Sequence, residues 1–228
     1  MAGNPGTKKV SDFKTILPGL LDKGLDKIDL SMFDEPTKYE LFNALGDEYI
    51  RRGRLNDAVK AFILSGNKEK LTKIGDDYVT VGMFSNAIDS YRLASNEERL
   101  LRIGQKCLEE ARLSDAIKAF KSLNNIPMLT KVGQECMKRQ KWDYAIEVFQ
   151  AVGDKKSLLE LGDKCMAEGQ LGYASRAFEL GEDKDKLSLL GDTCMRQGLV
   201  AAALKAYTLA GNEMMVQFIK TNFGAQSF

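Results

Sequence analysis

By type, four cysteines are the residues of this chain best placed to do chemistry, yet their spacing argues against it. Cys107, Cys136, Cys165 and Cys194 follow one another at intervals of 29 residues. Thiolate metal sites instead bring paired ligands about two to four residues apart on a turn. A helical stack would hold successive cysteines roughly 10 Å apart, beyond disulfide reach. Tyr49 and Tyr78 share the same column, so the thiols read as small buried apolar groups. Adjacent carboxylates occur at Asp76–Asp77, Glu97–Glu98 and Glu109–Glu110. They fall on helix faces or near helix starts, where solvation and dipole compensation account for them. No glycine-rich phosphate loop follows a strand pattern. Histidine is absent, which removes Ser-His-Asp triads, Cys-His dyads, imidazole zinc sites and histidine acid–base catalysis. The expectation is no catalytic residue, no metal, no cofactor and no enzyme activity.

Composition narrows the class further. The 228 residues carry 33 Lys and Arg against 32 Asp and Glu, a net charge of +1. That balance leaves no general electrostatic footprint for nucleic acid. Apolar residues at 44% and charged residues at 29% are ordinary for a globular chain. No stretch approaches the ~20 apolar residues of a membrane span, and the first residues lack a signal-peptide core. The cysteines are too sparse for a secreted disulfide scaffold. A cytoplasmic location is expected.

The elements that position these residues are set by a repeat. Gly46, Gly75, Gly104, Gly133, Gly162 and Gly191 each fall 29 residues after the last, with no insertion. Counting from that glycine, apolar residues occupy offsets −4, −1, +3 and +4, the face of one helix. Offsets +9, +12, +13 and +16 mark a second helix. The +12 column is alanine from Ala58 to Ala203, and the +16 column is aromatic: Phe62, Tyr91, Phe120, Phe149, Phe178 and Tyr207. The small residues are expected to let the two helices approach closely, with the aromatic filling the gap toward the next unit. Offset +7 is glycine in four copies, a left-handed stop for the first helix. Offset +21 is always Asn or Asp, an N-cap for the next one.

The pattern Leu71-x2-Ile74-Gly75-x2-Tyr78, followed by Ala87-x3-Tyr91, resembles the tetratricopeptide (TPR) repeat. The period is 29 rather than the ~34 of that family, and the proline near the repeat end is missing. The resemblance implies an all-α, right-handed α-solenoid of six helical hairpins at residues 38–66, 67–95, 96–124, 125–153, 154–182 and 183–211. Residues 1–10 are expected to be disordered. Residues 11–37 read as a degenerate N-terminal cap in which Phe13, Ile16, Leu20, Leu21 and Gly24 keep the repeat's register, Leu17 replaces the glycine and Pro18 interrupts the first turns. Residues 212–228 read as a capping helix and a frayed tail. Segment 11–30 also carries an amphipathic reading, at a membrane surface, but Lys14, Lys23 and Lys27 are offset by Asp12, Asp22 and Asp26, so capping is the better account.

In TPR domains the first helices line a concave groove, and the residue after the glycine faces it. The resemblance places Asp47, Asp76, Gln105, Gln134, Asp163 and Asp192 there. Two residues before the glycine, Lys73, Arg102 and Lys131 add a basic edge. The polar ladder either binds a partner segment or bonds locally between neighbouring helices, and Lys73 has Asp76 and Asp77 within helical reach. The carboxylate-clamp pattern of some TPR domains is not matched, since Thr72, Leu101 and Thr130 stand where a lysine would be wanted. The function expected is a protein–protein interaction scaffold that takes a peptide or helix in the groove. The alternative is a self-assembling or coat/transport-complex subunit without such a groove.

Overall fold

The computed structural model describes residue 13 and residues 15–224. The expectations for residues 1–10 and for the tail beyond Gly224 lie outside the described residues. Every regular element among the described residues is helical. Chain contacts divide the protein into two compact units, Met1–Glu110 and Ala111–Phe228.

The first unit holds α1 (Leu17–Lys23), α2 (Glu35–Arg51), α3 (Leu55–Leu64), α4 (Lys68–Thr80), α5 (Phe84–Leu93) and α6 (Glu97–Glu109), with a 3-10 turn at Leu25–Lys27. The second holds α7 (Leu113–Ser122), α8 (Ile126–Lys138), α9 (Trp142–Val152), α10 (Lys155–Ala167), α11 (Leu171–Gly181), α12 (Lys184–Arg196), α13 (Val200–Ala210) and α14 (Glu213–Phe223). Within each unit, helices pack in chain order: α2 on α3 and α4 on α5 in the first, α8 on α9, α10 on α11 and α12 on α13 in the second. The intervening pairs α3–α4, α5–α6, α7–α8, α9–α10, α11–α12 and α13–α14 also touch. The chain is all-α, with the sequential packing of an α-solenoid.

The repeat columns form the core. Leu71, Ile74, Leu158, Leu161 and the alanines at +12 are buried, as are the +16 rings. In the first repeat, Leu41 rather than the −4 residue Phe42 is fully sealed. Phe62, Tyr91, Phe149, Phe178 and Tyr207 each cover the glycine of their own hairpin, and the Phe62 and Phe178 rings also lie under Lys70 and Lys186 of the following repeat. A Cβ at Gly133 would lie 2.6 Å from Phe149 Cε1, and one at Gly191 would meet Tyr207 Cε1 at 2.6 Å. Glycine is required there because a ring fills the space a side chain would need.

Both turns of every repeat pass through a left-handed residue. At +7 four copies use glycine, and Ala111 (φ 60°) and Gln140 (φ 54°) adopt the same conformation without it. At +20 the left-handed residues are Gly66, Ser95, Asn124, Gly153, Glu182 and Gly211. The +21 column then caps the next first helix: Asn67 accepts from the backbone N–H of Lys70, Asn96 from Arg99, Asn125 from Met128, Asp154 from Ser157, Asp183 from Lys186 and Asn212 from Met215. Asp34 caps α2 in the same way through Thr37.

The N-terminal cap departs from the expected register. Leu17 and Leu21 are buried, whereas Ile16 is 41% exposed. Pro18 lies in the first turn of α1 and opens the helix rather than interrupting it. The place of a second helix is held only by the 3-10 turn. Phe13, Leu17, Leu21 and Leu30 supply the apolar cover instead.

Candidate partner-binding surface on the first helices

The aspartates after the packing glycine are engaged. Lys70 Nζ donates to Asp47 Oδ1 at 2.6 Å. Lys186 Nζ donates to both oxygens of Asp163 at 2.6 and 2.8 Å. Asp76 lies 3.3 Å from the Arg99 guanidinium and accepts the Tyr91 hydroxyl at 2.7 Å. Asp192 accepts the Tyr207 hydroxyl at 2.6 Å. Three of these residue pairs join consecutive first helices, and two join the helices of one hairpin. Burial, and then the neighbouring carboxylate, raise the hydroxyl pKa of Tyr91 and of Tyr207, so both stay protonated donors. The amide members Gln105 and Gln134 are exposed and make no side-chain hydrogen bond among the described residues.

The basic partners occupy a column that sequence reasoning passed over, five residues before the next glycine. Its signal was present: Asp47, Asp76 and Asp163 are followed 23 residues later by Lys70, Arg99 and Lys186. Where the column holds Gln105 or Gln134, that place holds Met128 or Ser157. The acid and the base change together. Asp192 is followed by Met215, and Tyr207 takes the missing base's place.

The basic edge is differently placed. Lys73, Arg102 and Lys131 are exposed. Arg102 approaches Glu98 at 3.5 Å. Lys73 and Lys131 have no carboxylate partner among the described residues, so Lys73 does not use Asp76 or Asp77. In the first unit Lys73 stands between two open clefts. One, of about 250 Å³, is lined by Asp47, Ile50, Arg51, Lys70 and Asp77. The other, of about 520 Å³, is lined by Lys68, Glu69, Thr72, Asp76 and Asn96 among others. In the second unit the column continues from Lys131 to Glu160, Leu189 and Phe218, all exposed.

The four thiols are buried and none of them forms a disulfide. Burial pushes those of Cys136 and Cys165 up to about 11, so both are un-ionised and inert near neutral pH. Among the described residues, no group of three or more His, Cys, Asp or Glu could hold a metal ion. No helix among them is long and apolar enough to cross a membrane. No protein-family model matches the sequence, and no curated protein is significantly similar to it.

Proposed function

We propose that the chain is a TPR-like protein-interaction scaffold, a binding protein rather than an enzyme, whose first-helix surface takes an acidic segment of a partner protein. The observation that carries the reading is the contrast between the two columns. The aspartates are consumed by the array's own joints, whereas Lys73 and Lys131 are exposed with no carboxylate in ion-pair contact among the described residues, and Arg102 has an exposed partner, Glu98, at 3.5 Å. Exposed cations cost little to hold and are available to a carboxylate-bearing ligand. The clefts beside Lys73 would seat side chains of such a segment. The test is anisotropy of a labelled Asp/Glu-rich peptide titrated with the full chain. Lys73→Glu with Arg102→Glu, and separately Lys131→Glu, should weaken binding by about tenfold or more for ~1.4 kcal/mol of lost interaction. Helicity and melting should change little. Binding unchanged in both variants would remove the basic column from the site.

A further inference from the structure

The last helix differs from every other first helix in what it shows to solvent. α14 begins at the Asn212 cap and buries Ile219 at the −1 position, as a first helix should. Position zero, however, holds Lys220. In the hairpins described, that place must be glycine because the aromatic of the second helix lies on it. Lys220 therefore fills the place that the aromatic of a repeat's second helix takes over glycine in those hairpins.

The exposed face of α14 is nonetheless apolar. Met214 is 76% exposed and Phe218 48%, and Leu189 in the same column of α12 is 47% exposed. Earlier repeats place Glu69 and Lys73, or Glu98 and Arg102, at the positions that Met214 and Phe218 occupy. Met214, Phe218 and Thr221 follow the i, i+4, i+7 spacing of a helix–helix seam. Phe223 supports the Phe218 ring edge-on at 6.3 Å. The only charges on α14 are Glu213 in its first turn and Lys220 in its last. They lie seven residues apart on one side of the helix, about 10.5 Å along its axis.

That layout is self-complementary in one orientation. We propose that two copies of the chain pair through α14, antiparallel about a two-fold axis, with Met214, Phe218 and Leu189 at the centre and Glu213 of each copy facing Lys220 of the other. A parallel pairing would put the charges of the two copies on opposite flanks, where Glu213 and Lys220 could not meet. A two-fold contact uses the same patch of both copies, so it closes as an isologous dimer.

Sedimentation of the full chain over a concentration series tests this. The wild type should dimerise in the micromolar range. Met214→Glu with Phe218→Glu should be monomeric, with helicity unchanged because both side chains are exposed. Glu213→Lys alone and Lys220→Glu alone should each weaken the dimer about tenfold or more. The Glu213→Lys/Lys220→Glu double variant should recover it, and an equimolar mixture of the two single variants should form a heterodimer. Acidic-peptide binding at the basic column should be unaffected in all of them, which separates this surface from the proposed function. A wild type that stays monomeric, a dimer that survives Met214→Glu/Phe218→Glu, or charge swaps that do not rescue one another would overturn the proposal.

Discussion

At Gly133 a methyl group would lie 2.6 Å from a ring that is itself fully buried. Gly133→Ala should therefore lower stability by about 1–3 kcal/mol, because neither helix nor ring has room to move. Gly172, near the start of α11, has open space for 4 Å around the place a methyl group would take, and Gly172→Ala should be neutral or stabilising by up to about 1 kcal/mol. Urea denaturation of the two variants side by side reads the contrast. Ala111 presents the opposite case, a side chain held at φ 60° where four copies use glycine. Ala111→Gly should raise the denaturation midpoint by relieving about 1 kcal/mol of left-handed strain. The glycine column is plain in the sequence. The ring it accommodates lies sixteen positions onward, across a turn, so its target on the same hairpin needed the structure. The left-handed turns at Ala111 and Gln140 were hidden for a related reason. Hairpin geometry, rather than residue preference, sets those dihedrals.

At the scale of the helix, the caps were legible and the first element was not. An Asn or Asp at a fixed offset is a local signal, and all six side chains make the expected bond. α1 carries no such repeat signal, so a register carried back through Leu17 and Pro18 has nothing local to hold it. Its short helix instead follows from proline's preference for a first turn. The caps also carry a pH dependence. The Ser157 backbone N–H, and then the Ser157 hydroxyl, hold the Asp154 carboxyl below its ordinary range. A group depressed in the folded state contributes stability that is present above its unfolded pKa and is lost as pH falls through the folded value. Asp154→Asn keeps an acceptor, as Asn67 and Asn96 do, but does not titrate. Its denaturation midpoint should fall less steeply than that of the wild type between about pH 5 and pH 3. An identical acid limb in both proteins would assign the dependence to other carboxylates.

For the molecule as a whole, neighbour couplings dominate the contacts within each unit. Deleting residues 154–182 removes one whole repeat between two left-handed joints, Gly153 and Glu182. The shortened chain should remain soluble with the same ellipticity per residue and a lower melting temperature. Loss of all helicity by circular dichroism would mean that the second unit needs every repeat at once. The fold class was readable at this scale because six copies average away local ambiguity. The candidate surface was only half readable: the resemblance to TPR domains marked the aspartate column, yet its carboxylates bind bases and tyrosines of the array. Their partners sit 15 or 23 residues away, so the cue lies in comparing one repeat with the next rather than in the helical period.

Those joints make the order of repeats something the protein checks two residues at a time. Asp47 and Lys70 match in the first unit, as do Asp163 and Lys186 in the second. The Asp163 repeat is itself entered through Ser157, whose hydroxyl donates to its own cap Asp154 and which brings no cation. If the repeats were reshuffled, the Lys186 repeat would be accepted after any aspartate-bearing neighbour. The Ser157 repeat placed after Asp47 would leave a carboxylate without its base. The constant period makes the modules interchangeable in shape, and this pair of side chains works like the matching ends of dominoes, giving each module a preferred neighbour.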